Sequence, residues 1–400
     1  VERSRGLGDV YKRQGVLADV AILDACAHIP AIELLSIIGR VQQVVVIAHC
    51  ATVTSESVKQ LIDTLPHIEV DAAPSRRAPR LSAFLESEGY GPVRYDVATE
   101  PAAGEVRFHR VEASGVPVMS SGLVESSQPE IDEVVRLITQ RAAGFAVVPS
   151  SYRLVVVMLT DAFRTRLGAE LKSLAGKSKA MGRFLRHVRL VSLRDVAGGR
   201  ATDVILSMCY AKTTHGRLLQ QFGPLESTGG RGLLLDALAL ADHSLDIVSA
   251  FGSEDLDEER LHQSGPRFLK TMLTWAEQLD DRPVLPLRDA AGGNVLFDDI
   301  ADRLRARGLN AAVDYGFDKG VKIPLVVGLK DKPFALAVQT DDANFMSVQS
   351  TRRRHRLSAQ DLISLGWNVM TVWSVAAFVN PDKEVDRIVS RIGEIYREVE

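Results

Sequence analysis

Cysteine, aromatic residues and long apolar runs are all scarce in this chain. Its three cysteines in 400 residues, Cys26, Cys50 and Cys209, form neither a metal-ligand spacing nor a disulfide framework. That usage fits a reducing cytoplasm. Apolar runs such as Leu154–Leu159 fall far short of the roughly 20 residues a membrane helix needs, so no membrane partner is expected. No secretory signal is visible. The phosphate-loop pattern G-x-x-x-x-G-K-[ST] is missing. Gly176-Lys177-Ser178 imitates its end, but Leu171 stands at the earlier glycine position and the segment lies at a helix end. His28, His49, His215 and His243 have no His, Cys or acid at a ligand spacing and read as hydrogen-bonded structural histidines. Ser120-Ser121 and Ser150-Ser151 lack the setting of a nucleophile elbow. A large excess of either charge is also missing. Forty-eight basic against 51 acidic residues give a net charge of -3, which argues against a wholly basic nucleic-acid binder but leaves room for local basic faces.

What is present is an ordinary globular composition, 46% hydrophobic and 25% charged. The length suggests two or three domains. Residues 1–14 show no pattern leading into the strand that follows and resemble sequencing-adapter read-through, a native tail being the alternative. The reading frame is therefore expected to start inside a larger protein. Strand and helix signals then alternate, predicting α/β layers. Leu17–Leu23 and Val44–Ala48 read as strands covered on both faces. Helices are expected from Pro30 to Ile38 and over Thr54–Leu65. Residues 66–127 read as loops and an irregular insertion. The next block predicts a helix over Glu130–Arg141, a strand at Phe145–Val148, a helix over Tyr152–Leu174, and strands at Val188–Ser192 and Asp203–Met208. A helix over Gly230–Ala241, a strand at Leu245–Phe251 and a helix over Pro266–Leu279 complete it, followed by a linker at 281–293. In the last block, a helix over Val295–Arg307 precedes strands at Ala311–Tyr315, Lys322–Val327 and Phe334–Thr340. A helix over Thr351–Leu365, a strand at Asn368–Trp373 and a helix from Pro381 follow.

Several motifs resemble a superfamily-one helicase. Residues 18–48 contain Ala-Asp-Val-Ala-Ile-Leu-Asp-Ala-Cys-Ala-His-Ile-Pro, a crossover, and Gln-Val-Val-Val-Ile-Ala. In that family the first strand ends in Asp-Glu-Ala-Ser-Gln and the second in Gly-Asp. Here Asp24 matches the Asp, but Ala25 replaces the Glu and Ala48-His49 replaces Gly-Asp. Residues 204–225 carry Val-Ile-Leu-Ser-Met-Cys-Tyr, then His-Gly-Arg, then Phe-Gly-Pro-Leu. They resemble the family's Ile-Leu-Ser-Val-Gly-Tyr strand and its following loop. The resemblance covers roughly residues 16–280. It implies RecA-like parallel sheets of the P-loop NTPase type, with the end of a first lobe at 15–65, the insertion at 66–127 and a second lobe at 128–280. It also implies ATP and magnesium as family cofactors, Asp24 as a residual magnesium ligand, and the N-terminal remainder of the helicase as a partner. The departures point to lost ATP chemistry. The Gln-Gly-Asp-Glu region reads Val196-Ala197-Gly198-Gly199-Arg200. The Thr-Arg-Ala-Arg helix reads Ala239-Leu240-Ala241-Asp242, and no Arg lies in 232–260 before Arg260. Phosphoryl transfer needs such cations against developing charge.

Two basic stretches stand out. Residues 171–194 hold no acid but carry Lys172, Lys177, Lys179, Arg183, Arg186, Arg189 and Arg194. Such a cluster either neutralises phosphates or is a solvated helix face. Residues 343–360 are also acid-free and carry Arg352, Arg353, Arg354 and Arg356.

The block 294–400 resembles the very-short-patch-repair-like branch of PD-(D/E)xK endonucleases. Leu365-Gly366-Trp367-Asn368-Val369 with Val372-Trp373-Ser374 matches the branch's Leu-x-x-x-Gly-Trp-x-Val-x-x-x-Trp-Ser ending, and Thr351–Arg356 the start of the preceding helix. The resemblance implies a restriction-endonuclease-like α/β domain and paired carboxylates holding magnesium. Yet Pro324 occupies one acid position and Gln339 the other. Gln339 and Asp341 are the residual catalytic candidates, while Asp342, Asp298 and Asp299 read as loop and helix-start acids. Trp367 and Trp373 are expected in the core, base stacking being the lesser alternative. The expectation is a DNA- or RNA-binding fragment with inactive ATPase and nuclease centres. An active ATP-dependent helicase–nuclease with its phosphate loop upstream is the alternative.

Overall fold

The structure is a computed structural model. It describes residues 18–24, 27, 31–49, 52–53, 55–68, 70, 72–91, 93–99, 105–119, 121–125, 127–196, 199–279, 294–317 and 319–397. The expectations for residues 1–14, Ala25, Cys26, His28, Cys50, Ser120, Ala197, Gly198 and the 281–293 linker lie outside these. No described helix is long and apolar enough to cross a membrane. The chain divides into two compact units, one of Val1–Val70, Leu85–Gly91 and Val106–Leu279, the other of Asp71–Phe84, Pro92–Glu105 and Asp280–Glu400.

In the first unit, β1 (Ala18–Asp24) and β2 (Val41–Ile47) pair in parallel, with α1 (Ala31–Ile38) between them in sequence and α2 (Glu56–Thr64) after them. Leu23, Val44 and Val46 pack with Leu34, Val53 and Val58 in one small core. The other face is bare, with Ile22 66% and Val45 39% exposed. The expectation of cover on both faces is therefore not met. A continuous apolar run makes both faces apolar, but only a second layer can bury them. A helix, α3 (Pro79–Ser87), lies between these elements and the next strand in sequence.

The rest of the first unit is a larger α/β layer. Its elements are β3 (Val106–Arg110), β4 (Ser114–Gly115), α4 (Gln128–Ala143), β5 (Leu154–Met158), α5 (Asp161–Lys177), α6 (Lys179–Phe184), β6 (Val188–Ser192), β7 (Ala201–Ser207), β8 (Lys212–Thr213), α7 (Gly230–Ala239), β9 (Ala241–Ser249) and α8 (Ser264–Glu277). Five strands form one parallel sheet in the order β3-β9-β7-β5-β6. The chain moves outward from β5 to β6, then crosses back to β7, so the order reverses between β5 and β7. In open parallel sheets that crevice is the usual ligand position.

Three expectations fail here. Tyr152–Leu174 is not one helix. Leu154–Met158 is a fully buried strand, and the Thr160 hydroxyl caps α5 by accepting from the Phe163 N–H at 3.3 Å. Three successive valines lose rotamer freedom in a helix and fit a pleated interior strand, a signal stronger than segment length. Phe145–Val148 is bend and coil rather than strand, and Phe145 packs on Tyr152 at 4.7 Å between ring centres. A run of four apolar residues is too short to choose a state. Residues 66–127 are not irregular throughout. Val-Arg-Phe-His-Arg forms β3 at a sheet edge, where only half of a strand needs to be apolar.

In the second unit, α9 (Val295–Ala306), β10 (Leu309–Tyr315), β11 (Ile323–Leu329), β12 (Leu336–Gln339), α10 (Ala343–Ser347), a π-helical turn at Arg353–Leu357 running into α11 (Ser358–Ser364), β13 (Asn368–Thr371), α12 (Ser374–Val379) and α13 (Pro381–Arg397) follow in order. The mixed sheet runs β10-β11-β12-β13, antiparallel except for the parallel pair β12–β13. One face is covered by α9 and α13, whose Phe297, Ile300, Ile388 and Ile392 pack on Leu325, Val327, Leu336 and Val338. On the other face, Trp367, Tyr315 and Phe334 pack on Val326 and Ala337, and the Trp367 indole donates to the Val97 carbonyl at 2.6 Å. Arg94 bridges Asp96 at 2.8 Å and Asp361 at 3.0 Å. Part of the expected insertion thus braces this unit. Long-range contacts of this kind leave no local pattern.

Candidate nucleic-acid interface

The acid positions of the C-terminal sheet come first. Pro324 lies between the buried Ile323 and Leu325 on β11. Proline has no N–H to give the ladder. On the neighbouring strand, Val313 and Tyr315 pair with Leu325 and Ile323, and Asp314 between them turns to a φ of 48°. That left-handed conformation is uncommon outside glycine. Burial raises the Asp314 carboxyl above the usual range. Lys322 opposes the shift, and the charges of Asp342 and Asp298 reinforce it. Asp314 is an acid that motif reading missed, because it lies on a strand that the motif does not mark.

Gln339 ends β12, opposite Thr371 of β13. Asp341 accepts hydrogen bonds from the Ser374 N–H at 2.7 Å and the Ser374 hydroxyl at 2.9 Å. Slight burial works against it, but these bonds hold the Asp341 carboxyl below its ordinary value. Asp342 caps α10, accepting from the Phe345 N–H at 2.7 Å. Asp299 pairs with Arg303 at 2.8 Å, and Asp298 is exposed in the first turn of α9. Among the described residues, no group of three or more His, Cys, Asp or Glu is arranged to hold a metal ion. What the acids do here is terminate helices and tie β12 to α12.

The cations differ by region. Arg303, Arg305, Arg307, Arg387 and Arg391 all pair with carboxylates. Lys172, Lys177, Lys179, Arg183, Arg186, Arg189 and Arg194 are exposed, and among the described residues none of their side chains has an ion-pair or hydrogen-bond partner. They follow the end of α5, then α6, then the edge strand β6 and the turn after it. In the second unit, Arg352 and Arg356 are exposed, and Arg353 is half-buried. The Arg354 guanidinium sits 5.6 Å from the centre of the Phe345 ring.

The two tryptophans part company. Trp367 is 2% exposed, as expected of core, but Trp373 is 43% exposed. Trp373 is the residue before α12, past the end of β13, and so lies outside the sheet that buries Trp367. The expectation of a core Trp373 is corrected accordingly.

In the first unit, Asp24 is exposed at the end of β1. His49 stacks on Tyr90 with ring centres 3.7 Å apart. Ala241 and Asp242, expected at the end of a helix, instead open the strand β9, and Asp242 pairs there with Arg200. His243 faces Asp203 at 3.2 Å. Cys209 has a φ of 65° and stands where the resembled strand has glycine. Beside it, Glu130 is buried and accepts from the Ser207 hydroxyl at 2.7 Å and the Cys209 N–H at 2.8 Å. Burial pushes its carboxyl up to about 7.

Sequence reasoning also missed a buried ion network. Arg141 pairs with Asp246 and lies 3.4 Å from Asp203; His109 meets Asp246 at 2.6 Å; the Tyr152 hydroxyl donates to Asp203 at 2.7 Å. Burial alone would raise both carboxyls, but hydrogen bonds from His243 and Ser244, with Arg141 and Tyr152, at Asp203, and His109 with Arg141 at Asp246, hold them below the usual range. The network draws on α4, β3, β7, β9 and Tyr152, two residues before β5, so no sequence window contains it.

Comparison with known families bears on the second unit. Residues 297–392 match the family model REase_MTES_1575, a restriction endonuclease-like domain. No curated protein matches the chain.

Proposed function

We propose that this protein binds DNA or RNA, with the restriction endonuclease-like fold of its second unit kept as a binding module rather than a cutting one. The observation that carries the binding reading is the set of seven exposed, unpaired cations between Lys172 and Arg194. Elsewhere Arg303, Arg305, Arg387 and Arg391 are neutralised by carboxylates, so a run without a single partner among the described residues is a surface with charge left for phosphates. Pro324 and Gln339 support the loss of cleavage, since proline offers no side-chain ligand and a neutral amide is a weaker one for magnesium.

The first unit is read as RecA-like layers from a superfamily-one helicase. Its all-parallel sheet, the left-handed Cys209 at the family's glycine position, and the Asp24 strand paired with β2 favour this. Ala239, Leu240 and Asp242 offer no cation to a nucleotide, so ATP hydrolysis is not part of the proposal. The N-terminal remainder of the helicase is the proposed protein partner.

Fluorescence anisotropy against a short duplex tests the binding reading. If all seven cations meet phosphates, log affinity falls against log salt with a slope of roughly -6. Affinity indifferent to salt overturns the reading. For the nuclease centre, wild type is expected to give no magnesium heat in calorimetry. The double substitution Pro324→Asp with Gln339→Glu is expected to create one; magnesium-dependent cleavage by wild type would refute the loss.

A further inference from the structure

The ring cluster around Trp373 has a use that the phosphate-binding reading leaves open. Phe345, His355 and Trp373 meet edge to face or tilted, with ring centres 5.2 Å apart for Phe345–His355, 5.8 Å for Phe345–Trp373 and 6.2 Å for His355–Trp373. A buried aromatic cluster would be ordinary core, but this one is not buried. Trp373 is 43% exposed, and His355 is exposed as well. Arg354 closes one side over Phe345, and its Nε atom is buried with no hydrogen-bond partner. A buried guanidinium N–H without an acceptor is costly, and an incoming acceptor would relieve it.

The surroundings hold these rings in place. Asp342 caps the short helix that carries Phe345, and Asp341 grips Ser374, the residue after Trp373. His355 and Arg354 come from the π-helical turn, a local widening of the helix that is often found at functional sites. These two acids, just past the end of β12, therefore fix the frame on either side of the rings. Arg352 and Arg356 flank the cluster in sequence, are exposed, and have no carboxylate partner among the described residues.

Exposed rings with free arginines beside them fit one ligand chemistry: a flat, uncharged π-face attached to a phosphate backbone. We infer that Trp373, with His355 and Phe345 behind it, is a stacking platform for an unpaired nucleobase of single-stranded nucleic acid, whose flanking phosphates meet Arg352 and Arg356. This rests on the nucleic-acid-binding reading and adds that one site senses bases rather than charge alone. Bases inside a duplex stack on one another and have no free face to offer, so the platform favours single strands.

The test compares three 12-nucleotide probes of equal length on the full chain: oligo-thymidine, the same strand with its central four residues abasic, and a duplex. The thymidine strand is expected to bind about tenfold tighter than the abasic strand, the scale of one stacked base. Trp373→Ala is expected to erase that preference while leaving the affinity for the abasic strand unchanged. Trp373→Phe, which keeps a ring, is expected to retain most of it. Equal affinity of wild type for thymidine and abasic strands overturns the platform while leaving phosphate binding intact. Failure to bind any probe overturns the underlying reading instead. A preference that survives Trp373→Ala also refutes the platform, because it places base recognition elsewhere.

Discussion

The two basic stretches are alike in composition and unlike in setting. Residues 171–194 spread their cations along α6 and the edge strand β6, with no aromatic partner and no ion pair among the described residues. Residues 352–356 crowd theirs against rings, with Arg354 over Phe345 and His355 against Trp373. The first arrangement can only measure negative charge. The second has flat apolar faces beside the charge, which under the proposed stacking platform would distinguish a base from its absence. The lesson is that arginine count says little about what a surface reads; the neighbours of each guanidinium decide it.

The strongest way to break this comparison is to remove charge from the first stretch. Lys177→Ala, Lys179→Ala, Arg183→Ala and Arg186→Ala together should lower the salt slope of duplex binding by roughly 3 to 4, at about 0.9 per phosphate contact. An unchanged slope in the anisotropy titration would mean that these cations are a solvated face.

Buried charge provides the contrasting case. Arg141→Met leaves Asp246, fully buried on β9, without its main counter-charge. Loss of one partner of a buried pair costs about 3–5 kcal/mol, so urea unfolding of the first unit should shift by that order. A mutant as stable as wild type would show the network to be dispensable. The same network sets an acid limit. Asp203 and Asp246 have folded pKa values below their unfolded ones. Their contribution is therefore complete above the unfolded value of about 3.9 and is lost as pH falls through the lower folded values. Unfolding midpoints followed by circular dichroism should drop below about pH 4, and Asp246→Asn should flatten that drop.

Glu130 runs the other way. Its folded value of about 7 exceeds the unfolded one, so its stabilising share is present at low pH and lost as pH rises through 7. Glu130→Gln mimics the protonated form and can still accept from Ser207 and the Cys209 N–H. The variant should gain about 3 kcal/mol on wild type at pH 8, and the gap should shrink as pH falls and close below the unfolded value of about 4.3. A gap independent of pH would show that Glu130 does not titrate in this range.

Much of the second unit was legible beforehand. The spacing of Phe297, Ile300 and Leu304 marks a helix with one apolar face, and Val385, Ile388, Ile392 and Ile395 do the same for the last helix. The Gly366-Trp367 and Trp373-Ser374 pairs located the final strand. Less of the first unit was legible. Val106–Arg110 has too few apolar residues to announce a strand, and Leu154–Met158 was absorbed into a long apolar stretch. For the candidate interface, sequence supplied all the cations but none of their pairing states. It named Asp341 as a candidate ligand without its bond to Ser374, and it missed Asp314 altogether.

What the sequence by itself determined is the alternation of elements, the presence of proline and glutamine rather than carboxylates at positions 324 and 339, and the two acid-free basic windows. These depend on residue identity and short-range spacing, and both are written along the chain. Tertiary structure alone decided which cations stay unpaired, that Trp373 faces solvent while Trp367 does not, and that Arg141, Asp203, Asp246 and His109 share one interior. Those outcomes depend on which distant segments meet, and burial, charge pairing and ring packing come into being only when they do.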